Sequence, residues 1–257
     1  MTDSGATRRA APAWAWIAVL GITTAFAVFN YSNLDNFSLR SAEIQVMQLA
    51  SGMSDAESAA GVTGHCSYLY HRLAALSVSV FGEGASPLRL PALVFAALCI
   101  PAMFALSRRM APCGLAVYAA AAMAVSPALS TVALDAFGYS MFLFFSIVSY
   151  IMALRLSENS TLRDRLLLLL ALIFAFEASF YAVFLCLPSA VLLWVEALRR
   201  RRDGDDEGES RAGAAQFAYM ISWLTAGALI WFNNTGLEFI FTSVEVLESS
   251  AGQWAAV

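Results

Sequence analysis

Long uninterrupted runs of apolar residues are the feature that most constrains the fold of this chain. A helix needs about 20 mainly apolar residues to cross the hydrocarbon core of a bilayer, and several runs here approach or exceed that length. The composition agrees, since 60% of the 257 residues are hydrophobic and 13% are charged, against about 25% charged in soluble chains. These values exclude a disordered chain, a secreted disulfide scaffold and an ordinary cytosolic enzyme. They predict an all-α, polytopic membrane helical bundle.

The apolar runs predict about seven membrane spans. The longest run, 166–195, has Arg residues at both ends. Both ends therefore belong on the cytoplasmic side, and the run must cross the membrane twice with a turn near 177–180. The remaining spans are expected at 14–31, 88–106, 113–129, 139–154 and 217–232.

The basic residues predict the orientation of the bundle. All 15 of them are Arg. With seven spans and a cytoplasmic N-terminus, twelve Arg residues fall on the cytoplasmic side, and only Arg40, Arg72 and Arg89 fall outside. This partition follows the positive-inside rule, so we expect the C-terminus to lie outside.

Two outer segments are not expected to span. Segment 33–64 is polar, whereas 65–81 has apolar residues three and four positions apart and a second, polar face. This spacing predicts an amphipathic helix lying in the membrane interface. We therefore expect one module over 1–257, with an outer loop carrying interfacial helices at 33–87 and a charged cytoplasmic loop at 199–214. The apolar positions are Leu69, Leu73, Leu76 and Val80, and the polar ones are His65, Arg72 and Ser79.

Acidic residues on the outer side are the candidates for chemistry. Glu43 follows Arg40 by three residues on a predicted helix at 38–50. It is interpreted either as an ion pair on a wet helix face or as a proton-accepting carboxylate at the membrane surface. Asp135 is interpreted either as a carboxylate at the start of the next span or as a second acid in the same cavity. Glu177 lies inside an apolar run, where ionisable groups are costly and usually functional, unless the turn exposes it.

Other kinds of site have less support in the sequence. His65, Glu43 and Asp135 could together hold one divalent ion, although no cofactor is indicated with certainty. The nucleotide-binding and zinc-protease motifs are absent. The net charge of −4 gives no indication of nucleic-acid binding.

The order of several short motifs resembles a known family. Ser38-Leu39 precedes Glu43, and an interfacial segment that begins at His65 ends in Phe81-Gly82. This order resembles the N-terminal half of the GT-C membrane glycosyltransferases, over about residues 12–200. It is closest to the family 39 group, which includes protein O-mannosyltransferases and the lipid A aminoarabinose transferase. The further motifs are Ser86-Pro87-Leu88-Arg89-Leu90-Pro91, Arg108-Arg109, Ser126-Pro127 and Tyr139-Ser140.

The resemblance implies a function and a set of site residues. Such enzymes pass a sugar from a polyprenyl-phosphate donor to an acceptor on the outer face, and a carboxylate of an Asp-Glu pair acts as general base. Here that pair reads Ala42-Glu43, so the resemblance implies that Glu43 is the base, and Asp135 keeps the family's acid before the fourth span as the second catalytic residue. The implied substrate-binding residues are Asp35 as a substitute acid, His65, Tyr139, and the cations Arg40, Arg72 and Arg89.

Three hypotheses follow from these observations. The first is a glycosyltransferase module in the inner (plasma) membrane of a bacterium, with the lipid-linked sugar donor and membrane lipids as its partners. The second is a non-catalytic relative that binds lipid-linked glycan, since family members are longer and a protein partner could complete the module. The third is a small transporter, for which Glu177 is the only support. On the resemblance, the chain is either the front part of a longer protein or a minimal relative.

Overall fold

The computed structural model of the protein is helical wherever it describes regular structure. It describes residues 11–231, except for 37, 40–42, 45, 48–67, 159–160, 186–187, 190, 192, 196–197, 199–201 and 203–205. No strand occurs in this described part, which confirms the predicted all-α class. The helices are α1 (Ala13–Tyr31), α2 (Tyr68–Phe81), α3 (Ala85–Met110), α4 (Cys113–Ala124), α5 (Pro127–Leu134), α6 (Tyr139–Glu158), α7 (Leu162–Ala178), a 3-10 helix (Phe180–Leu185) and α8 (Asp206–Trp231).

Three of these helices are long and apolar enough to cross a membrane. They are α1, α3 and Tyr139–Ser157 of α6, and each covers a span that the sequence predicts. At a rise of 1.5 Å per residue, the 19 residues of α1 extend for about 28 Å, close to the thickness of a hydrocarbon core.

The predicted span 113–129 is broken into two helices. Its two parts, α4 and α5, meet at an angle of 52° and together pass the test for one bent span. The break has a local cause, because Pro127 has no N–H to donate and disfavours the helical conformation in the residue before it. Ser126 is accordingly extended, with φ −68° and ψ 122°.

The long run 166–195 also leaves the helix where the sequence predicts a turn. Helix α7 ends at Ala178, and Ser179 is extended with φ −167° and ψ 136°. Helix α8 covers most of the last predicted span. The total of seven spans stays a prediction.

Two side chains of α2 donate hydrogen bonds to carbonyls at the start of α3, where a proline removes a helical donor. Pro91 has no N–H, so the carbonyl of Pro87, one turn earlier, receives no helical hydrogen bond from it. The Ser77 hydroxyl donates to that Pro87 carbonyl at 2.6 Å, and Tyr70 Oη donates to the next carbonyl, Leu88 O, at 3.3 Å. Two side chains of α2 thereby satisfy the irregular first turns of α3.

Helix α2 has one more packing face than its sequence pattern indicates. Leu76 and Val80 of the predicted apolar stripe are 61% and 65% exposed, as expected for side chains that face lipid. A different set, including Tyr70, Ala74 and Val78, is buried against the bundle. Leu69 and Leu73 of the predicted stripe also pack against this buried set, so the stripe is divided between the lipid-facing side and the bundle.

The helices form a bundle around α3. Helices α1, α2, α4, α5 and α6 all pack against α3, and α6 in turn packs against α7 and α8. One end of the bundle is fixed by an ion pair between Arg155 of α6 and Asp164 of α7, with Nε–Oδ1 at 3.4 Å. The opposite end, where α1 and α5 end and α3 and α6 begin, holds the predicted site residues.

Candidate active site

A buried ion pair between Glu43 and Arg89 lies at the centre of this end of the bundle. Arg89 Nε donates to Glu43 Oε1 at 2.9 Å, and Nη2 donates to Oε2 at 2.7 Å. The pairing is bidentate, the geometry in which a guanidinium and a carboxylate interact most strongly. Glu43 is 0% exposed and Arg89 2%, so neither charge is hydrated by bulk water.

Backbone groups surround the pair and complete its hydrogen bonding. Arg89 also donates to Leu34 O at 2.7 Å and to Ser38 O at 3.3 Å. The backbone N–H of Ala136 donates to Glu43 Oε1 at 3.0 Å. A buried ion pair is tolerated only when such additional bonds offset its desolvation. The pair therefore ties the segment after α1, the start of α3 and the segment before α6 to one another.

The surroundings of Glu43 differ from one of the two sequence interpretations. The interpretation as an ion pair on a wet helix face is wrong about exposure, because Glu43 is fully buried and its carboxylate binds Arg89. The interpretation as a proton-accepting carboxylate held at the membrane surface stays a prediction. Arg40, the predicted partner, lies outside the described residues.

Asp135 lies beside this pair in a more open position. It follows the last residue of α5, with φ −94° and ψ 131°, and its side chain is half-buried. Helix α6 begins four residues after it, and the Phe142 N–H donates to Gly138 O at 2.8 Å in its first turn. The neighbouring Ala136 N–H is the group that binds Glu43, so the ion pair fixes the backbone that carries Asp135.

Asp35 completes a cluster of acids. Its exposed carboxylate accepts a hydrogen bond from Ser86 Oγ at 2.7 Å, which joins the end of α1 to the start of α3. Asp35 and Asp135 both lie close enough to Arg89 to interact with its charge. Together with Glu43, three carboxylates of the described residues therefore act on one guanidinium, an excess of negative charge next to Arg89.

The remaining predicted site residues are only partly placed. Tyr139 is half-buried at the first position of α6, and its ring centroid lies 6.0 Å from that of Phe137. Arg72 is exposed on α2. His65 lies outside the described residues, as Arg40 does. The structure therefore brings together Asp35, Glu43, Arg89 and Asp135 of the predicted set.

The divalent-ion hypothesis gains no support from the described residues. They contain no group of three or more His, Cys, Asp or Glu side chains placed to hold a metal ion. Of the predicted ligands, Glu43 is bound by Arg89, and His65 is not among the residues described.

One titratable group near this region did not enter the prediction. His71 of α2 has both ring nitrogens buried, and neither has a hydrogen-bond partner among the described residues. Burial disfavours the charged imidazolium, so the pKa of His71 is lowered from its ordinary value.

Comparison of the sequence with known protein families gives one match. Residues 67–204 match the family described as dolichyl-phosphate-mannose-protein mannosyltransferase. The chain belongs to this family. The match covers more than half of the sequence and confirms the resemblance to the GT-C membrane glycosyltransferases. No curated protein matches the chain.

Family membership establishes the chemistry in outline. Members of this family are integral membrane proteins that transfer a sugar from a polyprenyl-phosphate donor. At family level, their partners are therefore a lipid-linked sugar and membrane lipids. Arg89 and Asp135 lie inside the matched segment, whereas Asp35 and Glu43 precede it. The ion pair thus joins the matched part of the chain to the part before it.

Proposed function

We propose that this chain is a glycosyltransferase module that passes a sugar from a polyprenyl-phosphate donor to an acceptor hydroxyl on the outer face of the membrane. The observation that carries the proposal is the buried Glu43–Arg89 pair, which binds the backbone beside Asp135. The site lies at the end of the bundle opposite Arg155, as expected for an outer site under the positive-inside rule.

Asp135 is the better placed of the two predicted bases. Its side chain is half-buried, whereas Glu43 is fully buried and both of its carboxylate oxygens accept hydrogen bonds from Arg89. In the proposed step the acceptor oxygen attacks the anomeric carbon while Asp135 takes the hydroxyl proton. The bond from that carbon to the donor phosphate breaks, and the polyprenyl phosphate leaves with the electron pair. Glu43 and Arg89 act as positioning residues, and no covalent intermediate is needed.

The excess of negative charge supports the same division of roles. Three carboxylates around Arg89 favour the acceptance of a proton and disfavour the binding of a phosphate at that point. The donor phosphate therefore requires a cation other than the buried Arg89. Arg72, exposed on α2, is the candidate among the described residues.

The test is transfer by the purified chain in proteoliposomes that contain a polyprenyl-phosphate sugar. We expect Asp135→Asn to lower turnover by about 10²–10⁴-fold, the usual contribution of a general base. Glu83→Gln, an exposed acid in the turn before α3, is the matched control and should keep the wild-type rate. Wild-type turnover by Asp135→Asn would refute the assignment, and a matching loss in Asp35→Asn alone would transfer the role to Asp35.

A second candidate function is a non-catalytic subunit that binds lipid-linked glycan. It is favoured by the burial of Glu43, because that position matches the carboxylate to which the resemblance assigns catalysis. Binding of a polyprenyl phosphate without turnover by the purified chain would support this alternative. The transporter hypothesis loses support, because Glu177 is the residue before the last of α7 and is not a mid-helix charge.

A further inference from the structure

A cavity lies between the end of α1 and the bent pair α4 and α5. Its volume is about 390 Å³, within the range of about 300–1,000 Å³ found for small-molecule sites. The cavity lies beside the bend at which α5 departs from the axis of α4 by 52°. Among its lining residues are Ile22, Ala25, Phe29, Asn30, Val125 and Ser130.

The walls and rim of the cavity are suited to a hydrocarbon chain. Most lining side chains are apolar, and two on the rim, Phe29 and Val125, are 65% and 80% exposed. Because α1 is a spanning helix, an exposed apolar rim at this level faces acyl chains. The cavity therefore opens toward the lipid, and its occupant can enter from the bilayer.

Asn30 provides a polar group inside this apolar cavity. Its side chain is buried, with 1% exposure, and its Nδ2 donates to Phe26 O one turn earlier at 3.0 Å. Its Oδ1 is buried and has no hydrogen-bond partner in the described part of the chain. A buried acceptor without a donor is costly in an apolar environment. The geometry therefore points to an occupant that supplies an N–H or O–H group.

We propose that this cavity binds one membrane phospholipid, whose acyl chain fills the apolar part and whose headgroup donates a hydrogen bond to Asn30 Oδ1. Asn30 is the residue before the last of α1, so it lies near the depth at which headgroups begin. Ser130 lines the same cavity, and its hydroxyl is a second group that the proposal offers to the headgroup. The site uses none of the acidic residues around Arg89 and does not depend on the proposed function.

The experiment is equilibrium binding to the delipidated chain in detergent, followed by native mass spectrometry. The probes are phosphatidylethanolamine, phosphatidylglycerol and phosphatidylcholine with identical acyl chains. The first two carry an ammonium and a hydroxyl donor, and the third carries no donor. We expect the two donor lipids to bind about fivefold more tightly than phosphatidylcholine, which is the usual contribution of one hydrogen bond. A preference for only one of the two donor lipids identifies which headgroup the site takes.

Two variants separate the headgroup contact from the chain contact. Asn30→Leu should lose the preference for donor lipids and still bind the acyl chain. The matched control is Asn33→Leu, because the Nδ2 of Asn33 donates to Phe29 O at 2.7 Å on the exposed side of the same helix end. It should keep the preference. Ala121→Trp fills the cavity from α4 and should weaken the binding of all three lipids at least tenfold.

Several results would overturn the proposal. Equal binding of the three lipids to the wild type would remove the headgroup contact, as would an unchanged preference in Asn30→Leu. Undiminished binding to Ala121→Trp would place the lipid elsewhere. An absence of any bound lipid on the wild type, as found if another part of the chain fills the cavity, would refute the site altogether.

Discussion

Arg89 and Glu43 are 46 residues apart in the sequence, yet Nη2 and Oε2 meet at 2.7 Å with both side chains removed from solvent. Removal of one partner leaves a buried charge without compensation, whereas removal of both does not. We expect Arg89→Met to lower the free energy of unfolding by about 3–5 kcal/mol. The double variant Glu43→Leu/Arg89→Met should recover most of that loss.

The measurement for this prediction is reversible unfolding in mixed micelles. Arg155→Met serves as the comparison, because Arg155 is 44% exposed and its buried partner Asp164 also accepts a hydrogen bond from the Thr161 hydroxyl at 2.6 Å, so its loss should be the smaller of the two. If the double variant is no more stable than Arg89→Met, the uncompensated charge of Glu43 is not the cause of the loss, and the prediction is wrong.

The hydrogen bond from Ser77 to Pro87 O gives a prediction with an internal test. Ser77→Ala should cost about 1–3 kcal/mol, because it leaves the Pro87 carbonyl without its donor. In a Pro91→Ala background the new Ala N–H can bind that carbonyl, so the same change should cost much less. The double-mutant cycle measures the coupling, and Ser79→Ala on the exposed side of α2 should be neutral. Equal costs of Ser77→Ala in both backgrounds would contradict the proline explanation.

Packing of α8 against α7 predicts opposite results at two glycines of the same helix. A Cβ on Gly227 would lie 3.2 Å from Cζ of the Phe176 ring, whereas one on Gly213 would meet nothing within 4 Å. Gly227→Leu should therefore destabilise the protein by about 1–3 kcal/mol through overpacking. Gly213→Leu should be neutral or stabilising by up to about 1 kcal/mol, because leucine has the higher helix propensity. Thermal unfolding of the two variants compares them, and equal midpoints would contradict this packing.

Burial of His71 predicts a loss of stability in acid. Its pKa is lowered in the folded state, so below its ordinary pKa of about 6.5 the unfolded chain binds more protons than the folded one. The free energy of unfolding should then decrease as the pH falls from about 6.5 toward the folded pKa, and it should be insensitive to His71 at higher pH. Thermal midpoints between pH 8 and pH 5 test this. The variant His71→Leu should lack that part of the decrease, and an identical pH dependence in both proteins would refute it.

Local chemistry in the sequence was sufficient for much of the fold. The spans over α1, α3 and α6 follow from runs of apolar residues, because a helix that satisfies its own backbone is the simplest structure that crosses lipid. The end of α7 at Ala178 follows from the Arg residues at both ends of the long run. The bend between α4 and α5 also has a cause that can be found in the sequence, because Pro127 disfavours a continuous helix. The cavity beside α1 cannot be found in the sequence.

The acidic site shows where sequence reasoning stops. Residue types identified Glu43 and Asp135 as candidates, since carboxylates on the outer side of a membrane protein are few, and the family resemblance added Asp35 and Arg89. Spacing suggested Arg40 as the partner of Glu43, because residues three apart are neighbours on a helix. The ion pair with Arg89 depends instead on how α1, α3 and α6 pack, and no local pattern encodes a contact over 46 residues.

The sequence by itself determined that this protein is a membrane-embedded helical bundle, which apolar helices are long enough to cross the bilayer and which family it resembles. These properties depend on apolar length, on charge and on proline, which act within a few residues of one another. Only the tertiary structure decided that Glu43 is buried against Arg89, that Asp135 is half-buried beside them and that Asn30 lines a cavity. Burial and hydrogen bonding are properties of a position in the packed bundle, and packing brings together side chains from helices that are distant along the chain.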